Sequence, residues 1–144
     1  MTFPKERILI LDFGSQYTPL IARRIREQHV YCEIYPYDTT ESEIQAFAPK
    51  GIILSGGPET VTSDTTPRAP EIVFTLGCPV LGICYGAEII ALTFGGSLHK
   101  TDLIQGFNRI DIEKPTKLLE RTRCNVYESH SYAISHLPEN FICV

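Results

Sequence analysis

The chain has 144 residues, of which 43% are hydrophobic and 21% charged, so it is long enough for one globular domain with a real core. Its net charge of −4 and its lack of a strong basic cluster argue against a nucleic-acid partner, and no apolar run is long enough to cross a membrane. The N-terminus does not resemble a signal peptide.

The number and spacing of the cysteines also limit the classes of protein to which the chain can belong. There are five, Cys32, Cys78, Cys84, Cys124 and Cys143, and they have neither paired nor metal-ligand spacing. An odd number without a disulfide framework favours a reducing, cytoplasmic environment. We expect neither a metal nor a cofactor.

The first 96 residues alternate four times between an apolar strand pattern and a helical one. The predicted strands are 8–11, 30–35, 52–54 and 79–83; the predicted helices are one with an inner stripe of Leu20, Ile21 and Ile25, then 40–47, 71–76 and 87–94. Thr18 suits the N-cap of the first helix and Pro19 its first helical position, and 40–43 form a capping box. Because crossovers between parallel strands are right-handed, this order predicts an α/β fold with a doubly wound, mostly parallel sheet.

After Gly96 the pattern changes to shorter segments. We predict strands at 97–100, 107–113 and 122–127, a helical turn at 116–121, a polar loop at 128–132 and a final core strand at 141–144. A core strand left uncovered at the edge of a sheet invites association. The sequence therefore predicts a homo-oligomer and a fold of reduced stability.

Cys84 lies where the fourth strand gives way to a helix, and Gly82 and Gly86 flank it. A nucleophile on a sharp strand-to-helix turn is a nucleophile elbow. The helix N-terminus favours the thiolate, and its N–H groups can hold a developing oxyanion. The alternative is a buried structural cysteine, which is the commoner role of a lone Cys, but the flanking glycines favour a nucleophile.

Glycines also follow the third strand, in the run Ser55-Gly56-Gly57-Pro58. Ligands bind at the carboxyl edge of a parallel sheet, where these backbone N–H groups are expected. A plain turn is an equally good reading of the run by itself.

Three segments resemble the class I glutamine amidotransferase family: 8–17 with its Asp-Phe-Gly-Ser-Gln-Tyr, 52–59, and 82–86 around Cys84. The resemblance covers the whole chain and is closest to members that supply ammonia for purine nucleotide (GMP) synthesis. It implies a flavodoxin-like three-layer fold and a reaction in which a cysteine attacks glutamine and forms a glutamyl thioester.

The resemblance also implies roles for individual residues. Cys84 is the expected nucleophile, the backbone N–H groups of Gly57 and Tyr85 the oxyanion hole, and Gly56 part of the glutamine pocket. Ser129 and His130 match a short family motif near the substrate. The implied partners are glutamine and an ATP-dependent synthetase domain or subunit that uses the ammonia.

Two departures from the family pattern stand out. The family takes its base from a His-Pro-Glu motif, whereas residues 1–144 contain no His-x-Glu sequence. The family also has Gln four residues after the cysteine, where it helps to hold glutamine, and this chain has Glu88. A carboxylate there opposes ionisation of the thiol and, when ionised, only accepts hydrogen bonds.

These departures leave the level of activity open. We expect one amidotransferase-like domain over 1–144, incomplete at its C-terminal side and without a synthetase domain. Its glutaminase chemistry is expected to be impaired, with His130 as a weak candidate for a substitute base. The alternatives are a non-catalytic homologue that binds glutamine or a synthetase partner and, less well supported, an unrelated cysteine hydrolase.

Overall fold

The structure is a computed structural model that describes residues 4–58, 65–120 and 122–144. Two compact units follow one another along the chain, Met1–Ile90 and Ala91–Val144. The first unit carries the α/β pattern that the sequence predicts, and the second carries the change of pattern after Gly96.

A four-stranded parallel sheet forms the centre of the first unit. Its strands are β1 (Arg7–Asp12), β2 (Tyr31–Pro36), β3 (Gly51–Leu54) and β4 (Val80–Gly82), in the order β2-β1-β3-β4. In β1, three consecutive residues, Leu9, Ile10 and Leu11, are fully buried. A strand with no exposed face must be covered on both sides, so the continuous apolar run at 8–11 correctly predicts a parallel strand inside the sheet.

The helices of this unit lie on both faces of the sheet. Helix α1 (Thr18–Glu27) packs its Ala22 against Ile10 and Cys32. Helix α2 (Glu41–Phe47) brings Phe47 against the rings of Tyr31 and Tyr35. Successive residues of a strand point to opposite faces, so Cys32 and Tyr31 place α1 and α2 on opposite sides. The predicted doubly wound, three-layer arrangement is confirmed.

Of the two helix starts predicted from capping residues, one is correct and the other is wrong. Thr40 and Glu43 make the predicted capping box at the start of α2. At α1 the prediction of Thr18 as the N-cap is wrong, because Tyr17 occupies that position and Thr18 is the first helical residue. The Thr18 hydroxyl is buried and donates to Asp12 Oδ1 at 2.8 Å, a tertiary contact that replaces the local cap.

The described residues form two further helices, α3 (Ile72–Thr75) and α4 (Tyr85–Thr93). The predicted inner face of the last helix, Ala87, Ile90, Ala91 and Phe94, is only partly right. Ala91 is buried, but Phe94 lies beyond the helix and is exposed, and the buried side chains of the helix are those of Tyr85, Glu88, Ile89 and Ala91. The prediction failed because a glutamate was not assigned to a buried face.

Among the described helices, none exceeds ten residues, and none has the length and apolar character needed to cross a membrane.

The second unit is built on a long antiparallel ribbon of β5 (Ser97–Asp111) and β6 (Arg123–His136). The three predicted short strands are therefore parts of two long ones, and the predicted polar loop at 128–132 is wrong because it lies within β6. Burial alternates from Arg123 to His130. An antiparallel strand with a solvated face accepts such polar residues, which is why polarity alone gave a loop.

Two other predictions in this unit are also wrong. Residues 116–120 form no helix; the Thr116 hydroxyl instead accepts the N–H groups of Leu118 and Leu119, making a side-chain-closed turn, and residue 121 lies outside the described residues. Residues 141–144 form no strand, since Asn140 has a left-handed φ of +67° and turns the chain. The predicted association of copies of the chain through a strand edge at 141–144 therefore has no strand to rest on.

Candidate active site

A tight turn between β4 and α4 presents Cys84. Cys84 has a φ of +52°, in the left-handed region that L-residues rarely adopt. A β-carbon on Gly82 would lie 2.6 Å from the backbone nitrogen of Ala87, and one on Gly86 would lie 2.3 Å from the Leu54 carbonyl oxygen. Both separations are too short for real contacts, so the glycines are required by the close approach of backbone segments. Strand, strained turn and helix occur as the elbow pattern predicts.

Hydrogen bonds fix this elbow to the end of β3. The N–H of Ile83 donates to the Leu54 carbonyl at 3.0 Å, and the N–H of Gly86 donates to the Ser55 carbonyl at 3.1 Å. The Cys84 carbonyl accepts the N–H of Ala87 at 2.9 Å and begins the helix. Cys84 is thus held from both sides, which is how a strained backbone conformation persists.

The electrostatics at Cys84 differ from the expectation of a stabilised thiolate. Although the residue is exposed overall, desolvation by neighbouring atoms is the largest influence and raises the pKa of the thiol. The carboxylate of Glu88 raises that pKa further, and a hydrogen bond from the Tyr85 backbone N–H lowers it. The expectation from the helix N-terminus is therefore wrong in sign, because burial and a like charge outweigh the N–H group.

Glu88 lies one helical turn after Cys84, and its N–H donates to the Cys84 carbonyl at 3.1 Å. It is only 8% exposed, which is unusual for a glutamate. The acidic side chain that the sequence predicts near Cys84 is therefore present, and the direction of its effect on the pKa of Cys84 is the expected one.

The glycine run after β3 lies beside the elbow. A β-carbon on Gly56 would lie 3.5 Å from Cys84 Cβ and 3.8 Å from Ser15 Oγ, so Gly56 faces the Cys84 side chain. A β-carbon on Gly57 would lie 2.5 Å from the Phe13 carbonyl oxygen, so only glycine fits against that backbone. The structure brings Gly56 and Gly57 to the same edge of the sheet as Cys84 and Tyr85.

Sequence reasoning missed the part that Asp12 plays in shaping this edge. Its Oδ1 accepts from the Gly14 N–H at 3.0 Å and from the Thr18 hydroxyl at 2.8 Å, so one carboxylate closes the loop from β1 to α1. Ser55, fully buried, accepts the Phe13 N–H at 2.9 Å. The signal was available: Asp12 ends a buried strand six residues before a hydroxyl, in a short loop that begins a helix.

Tyr85 combines a backbone and a side-chain role. Its ring is 1% exposed and packs against Phe13, with ring centroids 5.4 Å apart, while Phe13 stacks on Tyr37. The Tyr85 hydroxyl donates to the Pro67 carbonyl at 2.6 Å. This packing fixes the first residue of α4, the one whose N–H reaches the Cys84 thiol.

Ser129 and His130 belong to the second unit, where β6 places them opposite Gln105 and Ile104 of β5. His130 Nδ1 lies 2.9 Å from the Tyr132 carbonyl oxygen. Their role near the substrate stays a prediction. Across residues 4–58, 65–120 and 122–144, no group of three or more His, Cys, Asp or Glu side chains is arranged to hold a metal ion.

Comparisons with known proteins agree with the geometry. The family model described as glutamine amidotransferase class-I matches residues 9–144. The chain is 47% identical, over 97% of its length, to the glutamine-hydrolysing GMP synthase of Hamiltonella defensa, and 49% identical, over 94%, to that of Haemophilus influenzae. It spans only 29% and 28% of those two relatives.

Solved structures give the same fold. A Thermoplasma acidophilum protein described as a GMP synthase subunit superposes with a TM-score of 0.78 at 28% identity, over 96% of this chain and 71% of that one. A glutamine amidotransferase from Methylobacillus flagellatus superposes with a TM-score of 0.66 at 19% identity, over 94% of this chain and 58% of that one, and supports the fold alone.

Proposed function

Because this chain belongs to the class I glutamine amidotransferase family, we propose that it is a glutaminase unit whose nucleophile is Cys84. The observation that carries the proposal is the left-handed Cys84, held on a strand-to-helix turn beside Gly56. A structural cysteine does not need this strained position, whereas a nucleophile that must stand clear of the backbone does.

The proposed reaction begins when the Cys84 thiolate attacks the side-chain amide carbon of glutamine. The C–N bond of the tetrahedral intermediate then breaks, ammonia leaves with an added proton, and a γ-glutamyl thioester remains on the sulfur. Water hydrolyses the thioester to glutamate and regenerates the thiol.

The oxyanion of each tetrahedral intermediate needs preorganised donors, and we assign these to the backbone N–H groups of Gly57 and Tyr85. Two contacts support the assignment. Tyr85 already donates its N–H toward the Cys84 thiol, and the Gly56-Gly57 backbone adjoins the Cys84 side chain. Removing one such donor typically slows the reaction by about 10²–10³-fold.

The use of the ammonia is also part of the proposal. Both of the curated relatives compared above are described as glutamine-hydrolysing GMP synthases, and this chain corresponds to less than a third of their length. We extend from them the idea that a synthetase subunit or domain accepts the ammonia for GMP synthesis. A cytoplasmic location, favoured by the unpaired pattern of cysteines in the sequence, belongs to the same proposal.

Residues 1–144 contain no recognised motif that supplies a general base. None of His29, His99, His130 and His136 is followed two residues later by Glu. For a polypeptide of residues 1–144 we therefore expect slow glutamine hydrolysis, because positioned acid–base groups contribute about 10²–10⁴-fold.

A second candidate function is glutamine binding without hydrolysis. The observation that favours it is the buried Glu88, which raises the pKa of Cys84 and so reduces the thiolate available for attack. In that case glutamine would protect Cys84 from alkylation while no glutamate appeared.

The test measures glutamate released from glutamine by the purified chain and by its Cys84→Ala variant, with and without hydroxylamine. Hydroxylamine captures a γ-glutamyl thioester as a hydroxamate, so it detects acylation even where hydrolysis is slow. We expect hydroxamate that depends on Cys84. Equal product from the two proteins would contradict the proposal, and protection of Cys84 by glutamine without any product would favour binding alone. Turnover on the order of 1–10 s⁻¹ would overturn the expectation of slow chemistry.

A further inference from the structure

Ser55 joins the two loops of the site through a single buried hydroxyl. It is 0% exposed, and its Oγ accepts the Phe13 N–H at 2.9 Å. The same Oγ lies 2.8 Å from the Gly56 carbonyl oxygen and 3.5 Å from Asp12 Oδ1. A hydroxyl has one proton to donate, and the shorter distance directs it to the Gly56 carbonyl.

The Gly56 carbonyl belongs to the same peptide unit as the Gly57 N–H. This peptide is planar and trans, so its C=O and N–H point in opposite directions. Holding the carbonyl toward Ser55 therefore turns the Gly57 N–H away from Ser55. Neither residue of this peptide has a side chain of its own that could hold its orientation, so the orientation depends on hydrogen bonds and on neighbouring groups.

Packing supports the peptide from its two sides. A β-carbon on Gly57 would lie 2.5 Å from the Phe13 carbonyl oxygen, and one on Gly56 would lie 3.5 Å from Cys84 Cβ. Phe13 thus backs the peptide with its carbonyl and fixes Ser55 with its N–H, while the opposite side adjoins the nucleophile. The Ser55 carbonyl also accepts the Gly86 N–H at 3.1 Å, which ties this residue to the elbow.

We infer that Ser55 is a positioning residue that sets the direction of the Gly57 N–H and thereby presets one donor of the oxyanion hole. The inference rests on the proposed function, since it gives the Gly57 N–H a purpose in the reaction at Cys84. Ser55 should therefore affect the rates of reaction steps at Cys84 in which an oxyanion develops, and leave the rates of other steps unchanged.

Two reagents separate these steps at the same sulfur. p-Nitrophenyl acetate acylates a thiolate through a tetrahedral oxyanion: the S–C bond forms, then the C–O bond breaks and p-nitrophenolate leaves with its electron pair. Iodoacetamide alkylates by direct displacement of iodide and forms no oxyanion. The ratio of the two rates at Cys84 thus isolates the oxyanion contribution from changes in thiolate fraction or access. Cys84→Ala supplies the background for acylation, and mass spectrometry of the Cys84 peptide follows alkylation.

Ser55→Ala is expected to lower the ratio of acylation to alkylation by about tenfold or more, because loss of one oxyanion donor costs about 10²–10³-fold and a misdirected donor retains part of its effect. Thr39→Ala is the matched control. Thr39 is another buried hydroxyl of the same unit, and it donates to Glu43 at 3.0 Å, so its loss should leave the ratio unchanged.

Several results would overturn the inference. The first is a ratio of acylation to alkylation for Ser55→Ala that lies within twofold of wild type. The second is an equal fall in the rates of acylation and alkylation, which would indicate a purely structural role. The third is a wild-type ratio no higher than that of the urea-unfolded chain. If Ser55→Ala does not fold, Ser55→Cys takes its place, since a thiol is a weak donor and should also lower the ratio. The double variant Ser55→Cys/Cys84→Ala then supplies the background, because the added thiol can itself be acylated. Neither reagent is glutamine, so a failure of glutamine hydrolysis leaves this test intact.

Discussion

Replacing Cys84 with glycine should stabilise the protein relative to replacing it with alanine. Cys84 has a φ of +52°, and a β-carbon in this left-handed conformation approaches the following carbonyl oxygen. Either substitution removes the thiol, so the difference between them reports the backbone alone. The prediction therefore tests whether the elbow stores strain.

The magnitude follows from two opposing contributions. A left-handed non-glycine residue costs about 1–2 kcal/mol, which glycine recovers. Glycine loses more conformational freedom on folding, which takes back about 0.5–1 kcal/mol. Cys84→Gly should therefore exceed Cys84→Ala by about 0.5–1 kcal/mol in the free energy of unfolding.

Urea unfolding of both variants measures this difference, and Ala48 provides a matched control. Ala48 has a φ of +48° at the end of α2, where no chemistry is proposed, so Ala48→Gly should show a similar gain. Ala22 is buried inside α1, so Ala22→Gly should instead destabilise by about 1–2 kcal/mol, because glycine weakens the helix and a buried methyl group is lost. A Cys84→Gly variant no more stable than Cys84→Ala, with Ala48→Gly behaving as expected, would refute the strained elbow.

Two further predictions concern the neighbours of Cys84. Gly86→Ala places a β-carbon 2.3 Å from the Leu54 carbonyl and should lower the free energy of unfolding by about 3 kcal/mol. Gly77→Ala should lower it by only about 0.5–1 kcal/mol, because only a φ of +80° opposes the change and alanine loses less conformational freedom on folding than glycine. Equal losses in urea unfolding would contradict the close packing. Glu88→Gln removes the carboxylate that raises the pKa of Cys84, so alkylation of Cys84 by iodoacetamide should become faster at neutral pH and its pH profile should shift to lower pH. The control Glu41→Gln, at an exposed glutamate, should change neither the rate nor the profile. An unshifted profile for Glu88→Gln would show that the carboxylate does not act on the thiol.

The parallel sheet and the elbow were predictable because their signals are local. Leu9, Ile10 and Leu11 form a run that only a doubly covered strand buries, and the glycines around Cys84 mark a turn that excludes side chains. The ribbon of β5 and β6 was not predictable in the same way. Residues 128–132 of β6 are mostly polar and were therefore predicted as a loop, whereas pairing with β5 fixes them as a strand.

The candidate site shows the same division. Cys84 and the glycines could be found from spacing, but the connection from Asp12 through Phe13 to Ser55 depends on strands distant in sequence that meet at one edge of the sheet. The raised pKa of Cys84 likewise follows from burial, which opposes the helix N-terminus and has no signature in the sequence.

A glutamine-shaped electrophile tests whether Cys84 is the nucleophile of a glutamine site. The diazoketone analogue of glutamine, 6-diazo-5-oxo-norleucine, would be incubated with the protein, and mass spectrometry would locate the adduct among the five cysteines. We expect modification at Cys84 and protection of Cys84 by excess glutamine. Labelling spread over Cys78 and Cys143, or labelling of Cys84 that glutamine does not slow, would contradict it.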